Sequence, residues 1–196
     1  MQTRRVESIS DGIFAVAMTL LVLNLHVPTV DPGRLWHTIV DERAAFAVYV
    51  LSFVLVGTYW VAHHTMLDHT RRVARAMLWP NLLLLLAVSF TVYAAQLIAQ
   101  YPNSPVSHRI YAVSLSLVNA CGILLWLIAR ATGSLEQGLS DRYVRRVAWV
   151  HASPIFIYLL GALISTKVPT ISLLLYALVP LFFIMSSPWL PHLLSK

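Results

Sequence analysis

Six long apolar stretches divide this sequence and strongly restrict its fold. They cover residues 9–27, 44–66, 77–99, 106–129, 147–165 and 168–190. Each is close in length to the roughly 20 residues that cross the hydrocarbon core of a bilayer as an α-helix. They lack the alternation of apolar and polar residues that a membrane β-barrel requires. We therefore predict an all-α, polytopic membrane protein with six transmembrane helices, in which residues 1–196 form a single unit.

Composition agrees with this prediction and excludes other classes of protein. Hydrophobic residues make up 58% of the chain and charged residues only 11%, whereas a soluble domain carries about 25% charged residues. The net charge of +6 comes from basic residues spread between the apolar runs. A nucleic-acid partner is not expected, because such proteins concentrate their basic residues on one face. The single cysteine, Cys121, rules out a disulfide framework within the chain.

The positive charges favour one orientation of the predicted bundle. Ten of the 14 Lys and Arg residues fall at one end, which holds Arg4, Arg5, Arg71, Arg72, Arg75, Arg130, Arg142, Arg145, Arg146 and Lys196. The other end holds Arg34, Arg43, Arg109 and Lys167. Because segments rich in Lys and Arg stay in the cytoplasm, the first end is predicted to be cytoplasmic. Both termini then lie in the cytoplasm, as an even number of spans requires.

Polar residues gather at the cytoplasmic ends of the first three predicted helices. We expect a structural polar network of Arg5, Ser10, Asp11, Trp60, His63 and Asn81, since polar groups left unpaired near the hydrocarbon are costly. Trp79 is expected to pack around this network. An alternative for Ser10 and Asp11 is local: Ser8 or Ser10 caps the first helix, and Asp11 lies in its first turn.

No enzyme motif is present in the sequence. It contains no nucleophile elbow, P-loop, dinucleotide fingerprint or zinc-protease helix. We predict neither catalysis nor a cofactor. His64 and Asp68 have i,i+4 spacing with His69 nearby, but no HExxH pattern or cysteine supports them. A metal site is therefore not predicted.

Three motifs carry a resemblance to a known family. Residues 5–23 read RVESISDGIFAVAMTLLVL, residues 59–64 YWVAHH and residues 78–83 LWPNLL. Together they resemble the transmembrane protein 175 family, whose first helix carries R-x-x-x-F-S-D followed by G-[VI]-F-A-[IV]-A-x-T-L-L-V-L. Arg5, Ser10 and Asp11 match that signature, whereas Ile9 replaces its phenylalanine. Pro80 stands in the third motif where the family has an aliphatic residue.

The resemblance implies a potassium-selective, leak-type cation channel in the plasma membrane of a bacterium. Its subunits would assemble as a homotetramer in the lipid bilayer, with the first helix lining a pore for potassium ions and no TVGYG filter. Carried over to this sequence, the hydrophobic constriction falls on Val16, Leu20 and Leu23, and a selectivity role falls on Thr19. The i,i+4,i+7 spacing makes one stripe, but this helix is apolar on every side, so periodicity does not single out a face.

A secondary transporter, proton-coupled or of another kind, is the alternative function. Transporters often contain broken helices, and Pro154 and Pro180 interrupt the last two apolar runs. We find no internal repeat that pairs these two prolines, so the sequence favours the channel.

Overall fold

This computed structural model describes residues 3–186, and this part of the chain is built from helices. The α-helices are α1 (Thr3–Leu20), α2 (Leu35–Asp41), α3 (Arg43–Asp68), α4 (Leu78–Gln100), α5 (Pro105–Ala131), α6 (Asp141–Ile164) and α7 (Pro169–Ser186). A 3-10 turn, Leu21–Asn24, extends α1. Within the described residues, β pairing is limited to one isolated bridge, between Thr70 and Leu135. The all-α prediction is confirmed for these residues.

Five helical segments are long and apolar enough to cross a bilayer. They are Thr3–Asn24, Arg43–Asp68, Arg75–Gln100, Pro105–Ala131 and Asp141–Ile164. In α7 the apolar stretch Pro169–Phe183 is shorter than these five. The predicted end of the sixth run at Leu190, and the basic residue Lys196, lie outside the described residues.

The observed helix bounds differ from the apolar runs at three places. Helix α1 already includes Thr3, six residues before the predicted start, and α6 begins at Asp141 rather than at residue 147. The predicted loop between residues 28 and 43 contains the short helix α2. Hydropathy marks where a chain enters the hydrocarbon, whereas polar residues with good helix propensity continue a helix beyond it.

The early start of α1 overturns the capping interpretation of its serines. Ser8 and Ser10 lie inside the helix, and their hydroxyl groups donate hydrogen bonds of 2.8 Å to the carbonyl oxygens of Arg4 and Val6. Asp11 accordingly lies beyond the first turn. The α6 terminus does carry a cap, because the Ser140 hydroxyl oxygen accepts a hydrogen bond from the Tyr143 amide at 3.2 Å.

Neighbouring helices along the chain pack side by side around one core. Helices α4, α5, α6 and α7 follow one another, α7 also contacts α3, and α1 packs against α3 and α4. The largest side chains of the core are fully buried; they include Trp126, Tyr111, Tyr158, Tyr176, Phe14 and Leu21. This arrangement leaves α1 at the margin of the bundle.

Two basic loops meet at one end of the bundle. The Arg71 amide donates to the Ser134 carbonyl at 2.9 Å, which joins the loop after α3 to the loop after α5. Arg130 at the end of α5 forms a 2.8 Å ion pair with Asp141 at the start of α6. The N-terminal part of α1 lies at this same end, since Glu7 approaches His64 of α3.

Candidate functional site

One face of α1 is buried in the protein. Its buried residues are Val6, Ser10, Phe14 and Ala17, followed in the 3-10 turn by Leu21 and Asn24. Their spacing of three and four residues is that of a single helix face. The Asn24 amide reaches the Val92 carbonyl of α4 at 3.5 Å and secures the far end of this face.

The opposite face of α1 is exposed and carries all four predicted pore residues. Val16 is 55% exposed, Leu20 42% and Leu23 68%, and Thr19 is also exposed. Leu20 lies at the edge of this face, beside a cleft of about 420 Å³ that Ser89 and Val92 of α4 also line. The exposed face is therefore a mainly apolar stripe along a helix that is anchored on its other side.

Helix type changes within this stripe. The α-helix ends at Leu20, and Leu23 belongs to the 3-10 turn. A 3-10 helix has three residues per turn, so Leu23 follows Leu20 on the same side. Thr19 donates its hydroxyl proton to the Val16 carbonyl at 2.9 Å. Its oxygen keeps two lone pairs, which can only accept hydrogen bonds or coordinate a cation.

A first polar group ties α1 to α3 at the basic end. The Trp60 indole N–H donates to Asp11 Oδ1 at 2.9 Å, and the Trp60 ring stacks on His64 with centroids 5.6 Å apart. His64 lies 3.5 Å from Glu7 and 3.7 Å from Asp68. Glu7, His64 and Asp68 each offer an atom that could bind a metal ion, and these atoms lie within 4.8 Å of one another. Sequence spacing revealed His64 and Asp68 but not Glu7, which comes from a different helix.

A second polar group joins α1, α3 and α4 inside the protein. His63 Nε2 and Asn81 Oδ1 are 2.8 Å apart, and Asn81 Nδ2 donates to Ser10 Oγ at 3.3 Å. All three residues are buried. The Phe14 ring packs against the His63 ring with centroids 5.7 Å apart. The group thus spans three helices through side chains that are shielded from solvent.

The predicted network is therefore two separate groups, and Arg5 and the neighbouring Trp79 lie apart from both. The Arg5 side chain is exposed and forms no hydrogen bond or ion pair with any residue between 3 and 186. Trp79 is 74% exposed, so the expectation that it packs around the polar residues is wrong. A large exposed indole at a helix end is typical of the membrane interface, where its ring and its N–H meet different surroundings.

Comparisons with known proteins identify the family of this chain. The family model described as endosomal/lysosomal potassium channel TMEM175 matches residues 5–91. A Streptomyces collinus protein named as a potassium channel is 37% identical over 139 residues, which cover 68% of each chain. A Chryseobacterium protein, also named as a potassium channel, is 30% identical over 94% of this chain and 93% of its own length. The chain belongs to the TMEM175 family.

A solved structure shares this TMEM175 fold. The crystal structure of a lysosomal potassium-selective channel TMEM175 homolog from Chamaesiphon minutus matches with a TM-score of 0.83 at 26% identity. The match covers 94% of this chain and 98% of that chain. The members of the family found in these comparisons are ion channels, which confirms that the chain is not an enzyme.

Polar pairs that sequence reasoning missed join the region matched by the TMEM175 model to helices that lie beyond it. The hydroxyl groups of Tyr59 and Tyr158 are 2.6 Å apart, and Asn119 Nδ2 donates to Tyr59 at 3.2 Å. A further hydroxyl pair joins Ser52 to Tyr111 at 2.8 Å. Such bonds link membrane helices where polar side chains have no water. The sequence could have indicated these bonds only through the polar Tyr, Asn and Ser residues that lie inside its apolar runs.

Proposed function

We propose that this chain is the subunit of a potassium-selective, leak-type cation channel in the plasma membrane of a bacterium. Relatives of similar length carry the name potassium channel. The observation that carries the proposal is the two-sided character of α1. One face is packed into the protein, and the opposite face presents Val16, Thr19, Leu20 and Leu23.

The active form is a homotetramer whose four α1 helices surround one axis. A single α1 stripe cannot enclose an ion path, and closed rotational symmetry is the usual way to complete such a site. Apolar side chains on an exposed helix face are then covered by other copies of the chain or by the bilayer. Mass measurement in nanodiscs is expected to give four copies. A monomer that still conducts ions would contradict the pore assignment.

Each subunit crosses the membrane six times, with α7 as the sixth span and both termini in the cytoplasm. The basic loops after α3 and α5 support this orientation, because they meet at one end of the bundle together with the N-terminal part of α1. Tagging both ends of the chain and testing protease access in sealed vesicles checks the topology. Protection of only one tag would contradict an even number of spans.

Potassium ions pass through apolar rings rather than a carbonyl filter. The sequence contains no TVGYG stretch, and no cofactor is required. Rings of Val16, Leu20 and Leu23 form the constriction and impede ions by offering no replacement for their water. Thr19 supplies the nearest polar ring and favours potassium through its hydroxyl oxygen.

Bilayer recording from purified protein tests the proposal directly. Under a potassium–sodium gradient, we expect unitary currents whose reversal potential lies close to that of potassium. Thr19→Val is expected to move the reversal potential toward zero, because it removes the hydroxyl nearest the proposed constriction and keeps the shape of the side chain. A flux that is coupled to protons and shows no unitary currents would instead favour a secondary transporter, in which Pro154 and Pro180 interrupt α6 and α7.

A further inference from the structure

A small cavity lies inside the subunit, away from the exposed face of α1. Its volume is about 10 Å³, and its lining comes from four helices: Tyr59, Ala62, His63, Met66, Leu84, Val118, Gly122 and His151. A volume of about 10–15 Å³ is the space that one water molecule needs. Most of the wall is apolar, so the polar atoms that do reach the cavity determine what it can hold.

His63 brings an unpaired acceptor to this cavity. Asn81 Nδ2 donates to Ser10, so the oxygen of this amide faces His63. An amide oxygen only accepts, so His63 must carry its proton on Nε2. In the neutral ring Nδ1 is then a bare acceptor. This atom is buried and has no hydrogen-bond partner among the described residues, and the whole residue is only 3% exposed.

His151 brings a second unpaired nitrogen to the same cavity. Its Nδ1 atom is also buried and has no partner within the described part of the chain. This edge of the ring faces α5, because a Cβ atom placed on Gly122 would lie 3.4 Å from Nδ1. Phe183 packs edge-on against the same ring, with centroids 5.4 Å apart. Glycine at position 122 leaves the room that the cavity occupies.

We propose that this cavity binds one structural water molecule, which bridges Nδ1 of His63 and Nδ1 of His151. The water donates one proton to His63 and accepts the N–H of His151. A buried donor or acceptor without a hydrogen-bond partner destabilises the fold, and one water molecule relieves both nitrogen atoms.

The bridge extends the internal polar group of α1, α3 and α4 to α6. Each donor in the resulting chain points the same way: His151 to water, water to His63, His63 to Asn81, and Asn81 to Ser10. The rotation of α1 is then linked by continuous hydrogen bonding to α6. This assignment depends on the two histidines and not on ion conduction.

A high-resolution map of the full-length wild-type protein is the first test. We expect one ordered peak within about 3.2 Å of both Nδ1 atoms, the usual limit for a hydrogen bond. An empty cavity in a map that shows other buried waters would overturn the proposal. So would a strong anomalous signal at the zinc edge, because it would identify a metal ion instead.

Variants at His151 separate the hydrogen-bonding role from the space that the ring fills. In His151→Asn the side-chain amide reaches the position of Nδ1, in His151→Gln it reaches the position of Nε2, and in His151→Phe no polar atom remains. We expect the water peak to persist in the asparagine variant and to be lost in the other two. Equal occupancy in all three variants would contradict a bridge at Nδ1.

Filling the cavity gives an independent test that leaves both histidines in place. Gly122→Ala puts a methyl group into the space of the water, so the peak should disappear. Gly57→Ala is the matched control, because its methyl group makes only an ordinary 3.8 Å contact with Met18 Sδ. Retention of the peak in Gly122→Ala, or its loss in Gly57→Ala, would show that the water is not held as proposed. The wild-type map decides the question if a variant fails to fold.

Discussion

The indole nitrogen of Trp60 donates a 2.9 Å hydrogen bond to Asp11 Oδ1 and thereby fastens α3 to α1. The bond lies on the flank of α1, between its buried face and the exposed stripe. Together with the buried contact between Asn81 and Ser10, it holds α1 at two points. A helix held at two points has a fixed rotation, so these contacts determine which side chains form the exposed stripe.

Replacing Trp60 by phenylalanine is expected to lower the free energy of unfolding by roughly 1.5 kcal/mol. This is the lower end for a hydrogen bond to a charged group, because both partners are only partly buried. Trp79→Phe is the matched control, since Trp79 is largely exposed. Unfolding midpoints in detergent should fall for the first variant only. Equal midpoints for both variants would show that the Trp60 hydrogen bond contributes no stability.

Two serines of α1 provide a second matched pair. Ser10→Ala removes the partner of the buried Asn81 amide and should cost about 1–3 kcal/mol. Ser8→Ala removes only an exposed bond to the Arg4 carbonyl, and alanine is the best helix former. The free energy of unfolding of Ser8→Ala should equal or slightly exceed that of the wild type. A larger loss for Ser8→Ala than for Ser10→Ala would contradict the buried Ser10–Asn81 contact.

Loss of the Asp11 carboxylate should affect assembly more than ion preference. Asp11→Ala leaves the Trp60 N–H unpaired and loosens α1, so folding yield or tetramer stability should fall. Asp68→Ala serves as the control, because that carboxylate is more exposed and lies 3.7 Å from His64. Size-exclusion profiles and reversal potentials give the two readouts. Normal assembly with altered selectivity would instead make Asp11 a pore residue.

Gly161 of α6 lies directly against the ring of Tyr176 of α7. A methyl group there would overlap the ring of Tyr176, which is fully buried and lies against Tyr158. Gly161→Ala should destabilise the fold by about 1–3 kcal/mol, the usual cost of overpacking a core. Gly57→Ala introduces the same group at an uncrowded site. Comparable unfolding midpoints for the two variants would show that α7 shifts freely.

Truncation of the exposed stripe should raise ion conductance. Leu23→Ala widens the proposed constriction, and Leu20→Asn makes it wetter, so both should increase potassium current and weaken discrimination against sodium. Leu23 is more exposed than Leu20, which borders α4. Leu23→Ala should therefore increase the potassium current more than Leu20→Asn does. Leu86→Ala, at a 66% exposed position on α4, should leave the current unchanged. Unchanged currents in both stripe variants would exclude α1 as the pore lining.

Much of the fold follows from the sequence because hydropathy is a local property. The bounds of α3, α4 and α5 lie within two residues of the apolar runs. The start of α1 lies six residues before its apolar run, because its first turns are polar yet helical. Hydropathy measures transfer into a membrane and does not measure helix propensity in water. Helix α2 was missed for a similar reason: seven residues are too few for a membrane span.

The sequence by itself determined that this chain consists of apolar helices and that its basic residues are concentrated at one end of the bundle. It also determined which motifs are typical of the family. Tertiary structure alone decided which face of α1 is buried, because the part of this helix after Asp11 is apolar on nearly every side and its periodicity favours none. Phe14, Ala17 and Leu21 face inward only since α3 and α4 lie against them. The polar pairs depend equally on packing: Asp11 and Trp60 are 49 residues apart, and Ser10 and Asn81 are 71 apart. Contacts between residues so far apart in the sequence depend on how whole helices pack, and no local sequence pattern predicts this packing.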